Sequence, residues 1–170
     1  PPRSTLFPYT TLFRSGRQQA LLQLIQRHRG KSGLVYLRTR RDSEALAQTL
    51  AEKGYATAAY HAGLPGERRR QIETQWLKGQ LQFVVSTNAF GMGVNKSAVR
   101  WVAHLHAPAL LAEYIQEVGR AGRDGKPAEA LTLVSEPTGL LDPSDQQRLR
   151  FFQQQAAKQQ IGRASCRERV

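Results

Sequence analysis

Five short, largely apolar runs recur along the chain: LVYL (34–37), YATAAY (55–60), LQFVVS (81–86), VRWVAHL (99–105) and EALTLVS (129–135). In LVYL and FVV the apolar residues are consecutive rather than alternating, the pattern of strands covered on both faces, as in a parallel sheet. Helical patterns of about 10–15 residues separate most of the runs. Leu21, Leu24, Ile25 and His28 share one helical face, and Ile72 and Trp76 face inward within 66–77. Leu111, Tyr114, Ile115 and Val118 follow the i, i+3, i+4, i+7 stripe of an amphipathic helix. Asp42 is placed to N-cap a helix that carries Leu46 and Leu50 and ends at Gly54. The expected fold class is α/β, a mainly parallel sheet flanked by helices on both faces. Ligands of such sheets bind beyond the carboxyl ends of strands, so chemistry is expected in the loops after Leu37, Tyr60, Ser86 and Leu105.

At 170 residues the chain is long enough for one full hydrophobic core. The excess of 25 Lys and Arg over 13 Asp and Glu gives a net charge of +12 and points to a polyanionic partner, nucleic acid above all. No apolar run approaches the roughly 20 residues that span a bilayer. Pro8, Arg14 and Arg17 interrupt any secretory core at the start, and a cytoplasmic location is expected. The single cysteine, Cys166, excludes an internal disulfide and a cysteine zinc site within the chain.

GKS at 30–32 has the ending of a phosphate loop but not its context. The motif needs a glycine where Ile25 stands, and the order strand, loop, helix rather than helix, loop, strand. STNAFGMGVNK (86–96) follows a buried strand. Gly91 and Gly93 allow close backbone approach, Thr87, Asn88 and Asn95 supply neutral hydrogen-bonding groups, and Lys96 a charge, a set suited to phosphates or to a nucleic-acid backbone. QEVGRAGRDG (116–125) is more telling. It leaves a helix and projects Arg120 and Arg123 among Gly119, Gly122 and Gly125, and planar guanidiniums match phosphate oxygens. YHAGL (60–64) lies at another strand end, with the arginines of ERRR (67–70) on the next helix. His104 and His106 share a strand face without an evident third ligand, so no metal site is expected.

VYLRTR, AAYHAGL, STNAFGMGVNK and QEVGRAGRDG, in this order and spacing, resemble motifs of the RecQ helicases, and more closely those of the second RecA-like lobe of that motor. The resemblance covers about residues 17–135, and Gln116 stands where DEAD-box RNA helicases usually carry histidine. It implies an ATP-dependent 3′–5′ DNA helicase in which two lobes enclose ATP and move along a single strand. ATP and Mg2+ would be held mainly by a first RecA-like lobe, whose phosphate loop and acidic motif are not found in this chain. The partners implied are that lobe and single-stranded or partly duplex DNA. By the same resemblance Arg123 is the arginine finger, Arg120 a second γ-phosphate or coupling contact, and Gln116 lies near the same phosphates. Gly91, Gly93, Asn95, Gly119 and Gly122 belong to the nucleotide-coupling segments. Thr39, Arg40, His61, Arg69, Thr87, Asn88 and Lys96 would touch nucleic acid. His106 departs from the acidic residue of many relatives. The alternatives are a stand-alone nucleic-acid-binding module without ATPase activity, or a DEAD-box-like RNA helicase lobe.

The two ends have a separate explanation. With permitted codons, TLFPYTTLFRS (5–15) and IGRASCRERV (161–170) back-translate to complementary strands of one oligonucleotide, Thr5 being needed for Val170, as a translated sequencing adapter would. The expected organisation is a non-native tail over 1–15, the helicase lobe over 16–135, a linker and polar helix over 136–160, and a second tail over 161–170. Without Arg3, Arg14, Arg163, Arg167, Glu168 and Arg169 the net charge falls from +12 to +8. The tails are not expected to pack into the core.

Overall fold

The computed structural model describes residues 9–133 except 88, 89, 91–95, 107 and 109, with side chains from Gly16 onward and that of Leu111 excluded. The expected linker, polar helix and second tail fall outside these residues, as do Gly91, Gly93, Asn88 and Asn95.

The strands are β1 (Ser32–Tyr36), β2 (Thr57–Tyr60), β3 (Phe83–Ser86), β4 (Val99–His104) and β5 (Glu129–Thr132). They form one sheet in the order β2-β3-β1-β4-β5, and every pairing is parallel. The expected fold class is therefore found. Helices α1 (Tyr9–Arg27) and α2 (Arg40–Glu52) cover one face, where Leu21, Leu24, Ile25, Leu46 and Leu50 pack on Val35, Phe83, Val85 and Trp101. Ile72 and Trp76 of α3 (Gly66–Leu77) cover the other, against Leu34, Tyr36, Val84 and Val102. The last helix is α4 (Leu111–Val118).

Three details differ from the sequence reading. The cap of α2 is Thr39, not Asp42: the Thr39 backbone is extended and its hydroxyl accepts from the Asp42 amide at 3.1 Å while donating to the Asp42 carboxylate at 2.7 Å. The Thr39 hydroxyl thus bonds both the amide and the carboxylate of Asp42, and sequence alone lets either residue be the cap. Helix α1 begins at Tyr9, so it runs through part of the segment assigned to the first tail. On α4 the apolar stripe is not uniformly inward, since Ile115 is 59% exposed and Glu117 is buried. A partner for that carboxylate inside the fold explains the inversion.

The pairing of β1 with β4 is irregular. Ser32 stands opposite Val99 but Gly33 opposite Trp101, so Arg100 is an extra residue in β4. A bulge of this kind redirects the side chains around it. Val99 and Val102, three apart, consequently reach the same core.

Candidate functional site

Parallel register sets the site. Tyr60, Ser86, Tyr36, His104 and Thr132 stand opposite one another across all five strands, forming a single row at the carboxyl edge of the sheet. Their side chains share the α3 face, because strand residues at one level of a parallel sheet point the same way.

The β1–β4–β5 half of the row meets α4. His104 is fully buried, its Nε2 is 2.9 Å from the Glu117 carboxylate, and its Nδ1 is 3.2 Å from the Thr132 hydroxyl. Tyr36 stacks on His104 with ring centroids 5.3 Å apart. Burial raises the Tyr36 phenol well above its ordinary pKa, while the positive charges of Arg120 and Arg123 partly oppose that rise. The phenol is thus a neutral hydrogen-bonding group within electrostatic reach of both arginines and of Glu117. Arg123 donates from Nε to the Gly119 carbonyl at 3.1 Å, so the guanidinium folds back along its own turn. Gln116 is exposed beside them.

The arginine turn is built on glycine for a definite reason. Gly122 has φ +69°, and a Cβ there would lie 3.0 Å from the Lys126 carbonyl and 3.3 Å from Ala128. A larger residue there would be strained in its backbone and crowded by both neighbours.

The β2–β3–β1 half carries the other predicted residues. Thr39 caps α2, and Arg40 follows it with its guanidinium against Gly63, where a Cβ would meet Nη1 at 2.9 Å. His61 is buried, with Nε2 2.8 Å from the Glu44 carboxylate. Thr87 follows β3 and its amide donates to the Tyr60 carbonyl at 3.3 Å. Thr39, Arg40, His61 and Thr87 therefore gather at the ends of adjacent strands. Two others sit elsewhere. The Lys96 ammonium binds the Trp76 carbonyl at the end of α3 and lies 4.8 Å from the Trp76 ring centroid. Burial lowers its pKa. Arg69 lies beside the Tyr60 hydroxyl, which donates to Glu73; burial and that carboxylate push the Tyr60 phenol up to about 12.

Sequence reasoning missed Tyr36, Glu117, His104 as a partner of Glu117, and Phe90. Phe90 is buried and meets Tyr60 and Trp76 edge-on, with centroids 4.7 and 5.2 Å away, anchoring the start of the glycine loop.

Residues 16–125 match the helicase conserved C-terminal domain family. The chain belongs to that family. The helicase lobe is 54% identical over 142 residues to the ATP-dependent DNA helicase RecQ of Synechocystis, covering 84% of this chain and 30% of that protein. It is 43% identical over 129 residues to the Pasteurella multocida protein of the same name, covering 76% of this chain and 20% of the relative. The resemblance to RecQ helicases is thus borne out, and the chain spans under a third of these relatives. Among solved structures, a DEAD box protein from Methanococcus jannaschii superposes with TM-score 0.68 at 23% identity, covering 83% of this chain and 37% of that one. The Mycobacterium smegmatis helicase Lhr, bound to ssDNA and AMP-PNP, superposes with TM-score 0.60 at 29% identity, over 68% of this chain and 16% of that one. Among the described residues no helix is long and apolar enough to cross a membrane. Nor does any group of three or more His, Cys, Asp or Glu among them form a metal cluster.

Proposed function

We propose that this is the second motor lobe of a RecQ-like, ATP-dependent 3′–5′ DNA helicase of the cytoplasm, inactive without its first RecA-like lobe. The observation that carries the reading is the arginine turn. Arg120 and Arg123 stand three residues apart on a glycine-built turn at the carboxyl edge of the sheet, around the neutral Tyr36 phenol. Cationic forks beside a hydroxyl suit a polyphosphate chain. Arg123 would reach the γ-phosphate of ATP as the finger, Arg120 would make the second contact, and Gln116 would lie beside the same phosphates. ATP supplies the phosphoryl group whose developing negative charge the guanidiniums stabilise. Mg2+ would be held by the first lobe, and Gly119 and Gly122 allow the turn to approach the nucleotide.

Single-stranded or partly duplex DNA would run over the β2–β3–β1 half, touching Thr39, Arg40, His61, Thr87 and Asn88, while Gly91, Gly93 and Asn95 would couple that surface to the nucleotide. Lys96 and Arg69 serve this surface indirectly by fixing α3 and Tyr60. That the structurally similar helicase Lhr is bound to ssDNA and AMP-PNP is in keeping with a lobe that serves both a strand and a nucleotide. Residues 1–15 and 161–170 are read as translated adapter on the strength of their complementary codons.

The test is Arg123→Ala in the full-length protein that carries this lobe. Loss of ATP turnover by about 10³–10⁵, with single-strand affinity largely kept, is the expected result. Unchanged turnover would remove the finger assignment and favour the binding-module alternative.

A further inference from the structure

The arginine turn touches a single strand at three points. At its start, Glu117 is fixed by His104 of β4. At its middle, the Gly122 amide donates to the Val99 carbonyl of β4 at 3.0 Å. At its end, Arg100 of β4 pairs with Asp124 and donates to the Lys126 and Pro127 carbonyls at 3.1 and 3.3 Å. The bulge in β4 makes the third point available, because Arg100 is the residue without a β1 counterpart. Asp124 is also held from the other side, accepting from the Lys126 amide at 3.2 Å.

We propose that β4 positions the arginine turn, with Arg100, acting through Asp124, and His104, acting through Glu117, holding Arg120 and Arg123 where they meet the nucleotide. The inference rests on the reading of these arginines given above. Arg100, Asp124, His104 and Glu117 are positioning residues and need not touch the nucleotide. A turn studded with glycines has many accessible conformations, and ordering it on binding would cost affinity or rate. Three contacts to one rigid strand remove that freedom in advance, which is the route by which remote groups preserve a reactive geometry.

The experiment uses the full-length protein. Arg100→Ala, Asp124→Ala and the double variant are assayed for kcat, KM for ATP and single-strand affinity, with Arg123→Ala alongside. A misplaced turn should lower kcat by about 10²-fold. KM and DNA affinity should stay within about twofold of the parent, and the double variant should be no worse than the worse single, because the two residues act as one unit. Asp124 is a surface loop residue, so Asp124→Ala remains informative if Arg100→Ala fails to fold. Glu117→Gln, which keeps an acceptor for His104, should retain most of the kcat that Glu117→Ala loses. Additive losses, or a normal kcat in Asp124→Ala while Arg123→Ala is inactive, would overturn the positioning role and leave the finger assignment intact. Normal turnover in Arg123→Ala would overturn the assignment itself.

Discussion

Trp101 lies flat over Gly33: a Cβ built at Gly33 would come within 2.0 Å of the indole Cε2. The indole is fully buried and donates from Nε1 to the Lys31 carbonyl at 3.2 Å, so it cannot swing away without losing that bond. Gly33→Ala should therefore destabilise the lobe by at least about 1–3 kcal/mol, the ordinary cost of overpacking a filled core. A denaturant titration of the two proteins measures it, and an unchanged midpoint would show that β1 and β4 can part more easily than their packing implies.

The His104–Glu117 pair is expected to dominate the stability of the α4 junction. Removing one partner of this buried hydrogen bond leaves the other unsatisfied, at about 1–3 kcal/mol. Glu117→Ala should fall in that range and Glu117→Gln well below it. Similar losses for the two variants would mean that filling the space, not the hydrogen bond, is what matters.

Asp124 makes a pH-dependent contribution whose sign is fixed. The hydrogen bond from Arg100 holds its carboxyl below the ordinary 3.8, with the Lys126 amide adding to the effect. A carboxyl depressed in the folded state contributes its full stability above the unfolded value and loses it as pH falls through the folded one. Asp124→Asn should thus melt below the parent at neutral pH, by a gap that is constant down to about pH 4 and closes under more acid conditions. Thermal midpoints across that range are the check, and a gap that opened only above pH 5 would point to another group.

Salt dependence separates the cations of the DNA surface. Each phosphate contact to a single strand contributes about 0.7 to the slope of log affinity against log salt. Arg40→Ala should reduce the slope by that amount. Lys96→Ala should leave it unchanged, because the ammonium is held at the Trp76 carbonyl, and should instead loosen α3. A matching loss of slope in Lys96→Ala would place that ammonium on the strand.

Helix α2 (Arg40–Glu52) tests local order more gently. Thr39→Ala removes the cap of α2 at about 1 kcal/mol, and Thr39→Ser should restore most of it.

The elements that sequence patterning foresaw are those whose signal is local. Val84 and Val85 announce a strand covered on both sides, and Leu21, Leu24 and Ile25 a helix face, whatever else the chain does. Arg120 and Arg123 were visible because glycines between charges are unusual in a helix end. Tyr36 and Glu117 were not, because their roles depend on which residues stand opposite each other. Nothing near Tyr36 in sequence indicates that His104 lies beside it, and a glutamate in an apolar stripe reads as a flank until its buried partner is known. Thr39 and Asp42 show a finer limit, where two residues share one cap and only the backbone conformation distinguishes them.

The row at the carboxyl edge has one further implication. Tyr36 lies in the central strand with its ring against the arginine side, and its own chain continues directly into Thr39 and Arg40. Three residues of backbone, with a bend at Arg38, join the two halves of the surface. A displacement of the aromatic ring needs no relay of side chains to reach the first turn of α2, since the peptide chain itself is the connecting rod.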